Sequence, residues 1–207
     1  MPDSPLWKVD FHMHSRYSHD SSTGLEELAA KARELGLARI ALTDHNTAQG
    51  ALAFHDLEPE LVIIGEEVKT TEGEVIGLFI SRTIKAWQRP EAVMDEIHEM
   101  GGLVYLPHPF DRWRANFAPH RLVALADRID LIEGYNQWAD PGANQAATEI
   151  ARELDKPVAF GSDAHSLGEL GHSWMEVEPF AGPAELLEKL SRATGHRTEV
   201  SGTQRRA

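Results

Sequence analysis

His12 and His14 alternate with Phe11 and Met13. In an extended strand that spacing points both imidazoles to one side, where they can share a metal ion. An isolated His-x-His is more often a surface or core pair, but here it is accompanied by Asp44-His45, Glu66-Glu67, His108 and Asp163-His165. Any one of these would read as a helix cap or a solvated loop residue; together they form the donor set of a metal centre. The chain has no cysteine, which excludes thiolate ligands and leaves nitrogen and oxygen donors. Imidazoles mixed with carboxylates suit Mn²⁺, Zn²⁺ or Fe²⁺, and two such ions close together activate water and clamp a phosphoryl group. The expected chemistry is hydrolysis.

The elements that must position these residues repeat one order. Thr23 with Glu26 reads as a capping box, and Leu25, Leu28, Ala32 and Leu35 recur at helical spacing until Gly36 ends the run. The β-prone residues 38–43 then lead into Asp44-His45-Asn46. A helix over 90–100 is stopped by Gly101-Gly102, and a strand over 103–106 leads into Pro107-His108-Pro109. A helix over 146–154 and a strand over 157–160 precede Gly161-Ser162-Asp163-Ala164-His165. Further strands over 7–11, 61–64, 75–80 and 131–132 bring the count to about seven, which predicts a parallel α/β barrel with its chemistry at the C-terminal ends of the strands. Leu186, Leu187 and Leu190 after Pro183 predict a last helix. Residues 1–193 are expected to form one domain, and the polar, aperiodic residues 194–207 a poorly ordered tail.

The sequence resembles the PHP (polymerase and histidinol phosphatase) superfamily. The resemblance runs through Asp10-Phe11-His12-Met13-His14, Ser18-His19-Asp20, Leu42-Thr43-Asp44-His45-Asn46, Gly65-Glu66-Glu67-Val68, Pro107-His108-Pro109 and Gly161-Ser162-Asp163-Ala164-His165, and covers residues 8 to 175. It implies a distorted (β/α)₇ barrel with a trinuclear metal centre at the C-terminal ends of its strands. On that pattern His12, His14, Glu67 and Asp163 hold a first ion, Glu67 bridges to a second that also takes His108, and a third takes Asp20, His45 and His165. Glu67 is preferred to Glu66 because the family motif reads Gly-x-Glu. Where the family usually carries a histidine ligand of the second ion, this chain has Glu74, a carboxylate that can still bind a metal there but puts full occupancy of that site in doubt. The resemblance also places Asn136 as a polar residue lining the pocket. Asp44 is either a partner that orients a ligating imidazole or a structural turn residue.

Phosphate needs fixed cations besides metals, and Arg112 and Arg114, directly after His108, and Arg16, after the first motif, are the candidates. Trp113, Trp138 and Tyr135 are available to stack on a base or to pack. His19, His55, His98, His120, His172 and His196 match no ligand position. The formal net charge of -13 opposes nucleic-acid binding over most of the surface, and no apolar run reaches the length of a membrane span. A cytoplasmic enzyme is therefore expected, holding two or three divalent ions. It would hydrolyse a small phosphomonoester or a nucleotide through a metal-activated hydroxide, with His165 or Asp20 assisting proton transfer. Nucleic acid would enter only as a nucleotide or short oligonucleotide. The rivals are a 3′-5′ exonuclease or phosphodiesterase, like the PHP domains attached to DNA polymerases, and an inactive metal-binding module.

Overall fold

The computed structural model describes residues 5–198. Its strands are β1 (Trp7–Met13), β2 (Leu37–Leu42), β3 (Val62–Lys69), β4 (Glu74–Leu78), β5 (Leu103–Leu106), β6 (Leu131–Asn136), β7 (Val158–Gly161), β8 (Ser173–Val177) and β9 (Thr194–Arg197). Its helices are α1 (Leu25–Glu34), α2 (Gln49–Leu57), α3 (Pro90–Glu99), α4 (Pro119–Leu125), α5 (Pro141–Glu153) and α6 (Pro183–Leu190). The sheet order is β7-β6-β5-β4-β3-β2-β1-β8-β9. The chain thus forms an α/β, nearly closed distorted barrel, as expected, with the β8–β9 hairpin added beyond the seven strands.

Three differences from the sequence reading have local causes. The barrel is not wholly parallel: β4 runs antiparallel to both β3 and β5, because the short turn over 70–73, closed by Thr70 N–H donating to Gly73 O (2.8 Å), can make only a hairpin. The capping interaction of α1 sits one residue later than expected, with Gly24 N–H donating to the Glu27 carboxylate at 3.1 Å. The expected tail begins with an ordered strand, since Thr194–Arg197 pairs with Ser173–Val177; residues 199–207 lie outside the described residues.

Closure is made at the mouth. The first residues of β1 pair with β8, while its end turns to the segment after β7, where His14 N–H donates to Ala164 O (2.8 Å) and Asp163 N–H to His12 O (2.7 Å). Side chains sort into an interior cluster and two outer layers. Val9, Phe11, Ala41, Ile63, Ile76 and Tyr105 meet inside, with Leu186 and Leu190 of α6 packed on them. Met13, Ile40 and Leu42 face α1 and α2, and Val68, Val104 and Ile132 face α3, α4 and α5. Among the described residues no helix is long and apolar enough to cross a membrane.

Candidate metal centre

Strand parity decides which polar residues enter the barrel. In β3, Ile63 is interior and Val68 exterior, so Glu67 and Lys69 share the interior face and Glu66 points outward. Glu66 is accordingly buried away from the mouth, accepting Ile84 N–H at 2.8 Å. In β1, Val9 and Phe11 are interior but Met13 is exterior, and the pairing with β2 slips between Asp10 and Met13. This irregularity turns His12 inward at the rim. His108 and Asp163, at the ends of two other strands, hold left-handed backbone, with φ of 27° and 49°. Non-glycine residues take that conformation when a site requires it.

The result is a dense convergence of donor atoms. His12 Nε2 and His14 Nε2 face each other at 3.2 Å. Asp163 Oδ1 lies 3.1 Å from His14 Nε2, and Glu67 Oε2 lies 3.4 Å from His12 Nε2. His108 Nε2 meets the other Glu67 oxygen at 3.0 Å, and His45 Nδ1 meets Glu67 Oε2 at 3.1 Å. Asp20 Oδ2 bridges His165 Nε2 (3.1 Å) and His45 Nε2 (3.3 Å). These atoms form three overlapping groups with metal-ligand spacing: His14, Asp20, His45 and His165; His12, Glu67 and His108; and His12, His14 and Asp163.

The residues present fit divalent ions. Two imidazole nitrogens at 3.2 Å can hold at most one proton between them, whereas a cation satisfies both lone pairs. His12 Nδ1 lies 3.0 Å from Glu133 Oε1; a carboxylate only accepts, so this nitrogen carries the proton and Nε2 is left free. His165 Nδ1 likewise donates to Asp163 O (2.8 Å), and His14 Nδ1 is engaged by Ser18 Oγ (3.2 Å). Such partners orient ligands. Burial drives His14 down to about 3, with His165 and His45 acting in the same sense and Asp163 only partly opposing, so the ring is an available base. His45 rises to about 9, since Glu67 and Asp20 outweigh the cost of its burial. Burial would raise Glu67 and Asp163, but His45, His12 and His108 around the one and His12, Arg114 and His14 around the other hold both well below the carboxylate range.

The structure separates the other expected site residues. Arg114 enters the centre, donating to Asp163 Oδ2 at 2.7 Å, and is 24% exposed. Arg112, 68% exposed, turns to Asp140 and the Trp113 ring. Arg16 is exposed beside Tyr17. Neither is brought to the donor groups. Glu74 belongs to none of the groups and pairs with Lys69 Nζ at 3.1 Å. Asp44 accepts Ser15 N–H (2.6 Å) and the Ser15 hydroxyl (2.8 Å), fixing the loop after β1. Asn136 is buried beside the donor groups, where its amide donates to Glu133 (3.1 Å) and Asp163 (3.3 Å).

Two functional side chains were missed from sequence. Ser18 Oγ also accepts His45 N–H (2.9 Å), tying two ligands together. Glu133, besides orienting His12, accepts His108 N–H at 2.7 Å and the Tyr105 hydroxyl at 3.3 Å. A carboxylate inside an apolar strand was the available signal. A methyl at Gly161 would lie 2.4 Å from His12 Cβ and 2.5 Å from Glu133 Oε1, so the glycine is what lets that pair form.

A barrel with carboxylate and imidazole donors gathered where its strands end defines a class, and comparison with known proteins gives the family. Residues 10–131 match the PHP domain and residues 141–194 the PHP-associated family; the chain belongs to the PHP domain family. An uncharacterised protein of Methanocaldococcus jannaschii is 34% identical over 71% of this chain and 93% of its own. A probable histidinol-phosphatase of Thermotoga maritima is 22% identical over 82% of this chain and 89% of its own. Among solved structures, a two-domain protein from Bacteroides vulgatus containing a predicted PHP-like metal-dependent phosphoesterase superposes with a TM-score of 0.77. That likeness is at 19% identity and covers 95% of this chain and 67% of the other.

Proposed function

We propose that this protein is a metal-dependent hydrolase of phosphate esters, acting on a small phosphomonoester or a nucleotide with Mn²⁺, Zn²⁺ or Fe²⁺. The observation that carries the reading is Arg114 donating to Asp163 at 2.7 Å, beside His12, His14 and Glu67. It sets a fixed guanidinium against a cluster of cation ligands, the combination that binds a phosphoryl group and stabilises its developing charge. The likeness to a probable histidinol-phosphatase supports the same chemistry.

Bound divalent ions supply Lewis acidity and a water acidic enough to attack phosphorus at neutral pH. The chain does the rest. Arg114 grips phosphoryl oxygens with the guanidinium face that Asp163 leaves free. Glu133, Ser18 and Asn136 hold the ligands in register. Asp20, whose Oδ2 meets His165 Nε2 at 3.1 Å and which is 30% exposed, assists proton transfer to the leaving oxygen through its other carboxylate oxygen.

The test is inorganic phosphate release from phosphomonoesters, sugar phosphates and nucleotides with added Mn²⁺, comparing wild type with His12→Ala and Glu67→Ala. Turnover abolished in both variants is expected. Silence across the panel with metal bound would overturn the reading, and cleavage of a phosphodiester or single-stranded DNA alone would replace it with the phosphodiesterase.

A further inference from the structure

The three donor groups overlap, and the overlap limits how many ions they can serve. His12 belongs to two groups and so does His14. Because Glu133 takes His12 Nδ1 and Ser18 takes His14 Nδ1, each ring offers only Nε2. An imidazole nitrogen has one lone pair and serves one ion, whereas a carboxylate has two oxygens and can bridge. However the two rings are assigned, at least one group keeps no more than two ligands. The facing Nε2 atoms lie 3.2 Å apart with Asp163 Oδ1 at 3.1 and 3.5 Å, so a single ion held with Asp163 would take both rings. Asp20, His45 and His165 hold another. Glu67 and His108 remain as an incomplete pair.

The carboxylate placed to complete that pair is Glu74. In the antiparallel register Glu67 opposes Ile76 and Lys69 opposes Glu74, and Ile76 is interior, so Glu74 stands on the same inward face, one step closer to the mouth. Lys69 Nζ already holds it at 3.1 Å. Lys69, two residues along the inward face from Glu67, and Arg114, on Asp163 at 2.7 Å, together carry the charge of one divalent ion. A further cation there would have to take Glu74 from Lys69 and stand against both.

We propose that the Lys69–Glu74 pair replaces one metal ion, so that this chain binds two divalent ions and Lys69, with Arg114, presents the remaining positive charge to the substrate's phosphoryl oxygens. The inference rests on the metal-centre reading above but not on turnover. Glu74 is in this view an anchor for Lys69.

The experiment is metal stoichiometry. The full chain and its variants are saturated with Mn²⁺, freed of loosely bound metal by gel filtration, and assayed by elemental analysis. Wild type is expected to retain two ions per chain. Lys69→Met releases Glu74 and is expected to raise the count to three, as is Glu74→His, whose imidazole Lys69 does not hold. Inorganic phosphate should bind Lys69→Met about tenfold more weakly, a loss of about 1.4 kcal/mol, if the ammonium meets the phosphoryl group. Three ions in wild type, or two in both variants, would overturn the proposal. Stoichiometries as expected, with no phosphate released from any ester, would uphold it and sink the phosphoesterase reading instead.

Discussion

Glu133 Oε1 stands 3.0 Å from His12 Nδ1 while its second oxygen accepts His108 N–H at 2.7 Å, so one buried carboxylate fixes a ring on β1 and the strand end that carries another ring. Removing the charge should loosen both. Glu133→Gln is expected to weaken Mn²⁺ binding by about 10- to 100-fold, the usual cost of losing a partner that orients ligands, with the fold retained by circular dichroism. An unchanged affinity in a competitive chelator titration would deny Glu133 this role.

Arg114 and Arg112 make an internal comparison, since only the former reaches Asp163. A charge-assisted hydrogen bond contributes about 1.5–3 kcal/mol, so Arg114→Met should lower kcat/KM by roughly 10- to 100-fold. Arg114→Lys should recover little, because an ammonium lacks the planar fork. Arg112→Ala should leave kcat/KM near wild type; equal losses at the two positions would contradict the geometry.

Metal removal should cost stability as well as activity. Ions that bind only the folded chain stabilise it by about 2.7 kcal/mol at a hundredfold excess over their dissociation constant. Exhaustive chelation should therefore lower the thermal midpoint by several degrees, with recovery on adding Mn²⁺. A midpoint indifferent to chelator would mean that the donor cluster binds nothing.

Glu66 provides a pH test outside the mouth. Burial pushes its carboxyl from 4.5 up to about 8, against the Ile84 N–H bond that favours the charged form. Between those values the folded chain holds a proton that the unfolded chain has lost, so the stability from this group is full at low pH and is lost as pH rises through about 8. Glu66→Gln keeps the neutral form throughout. Its advantage in denaturant midpoint over wild type should grow between pH 6 and pH 9; parallel profiles would show that the carboxyl is not held neutral.

The candidate ligands were legible in the sequence because each sits where a short apolar strand ends, a local pattern that needs no knowledge of the partner strand. His12, His14, His45, Glu67, His108, Asp163 and His165 were found in this way. Relations that depend on register were not legible. Lys69 and Glu74 are neighbours only because β4 folds back on β3, and the sequence reading had β4 running parallel. Glu133 was hidden because nothing local told which face of β6 looked inward. The β8–β9 hairpin escaped because Thr194–Arg197 is short and polar, and its order comes from pairing with β8 and from Gly195 lying close against the Phe160 ring.

The seam between β1 and the segment after β7 has a consequence for synthesis. His14 meets Asp163 across 149 positions of sequence, and two of the three donor groups require Asp163 or His165. A nascent chain on the ribosome owns neither until both have emerged, so only the His12, Glu67 and His108 group can be complete before then. Closure of the paired imidazoles on Asp163 must therefore follow translation past residue 163, and a ribosome stalled earlier would carry a chain whose first strand lacks the segment it closes against.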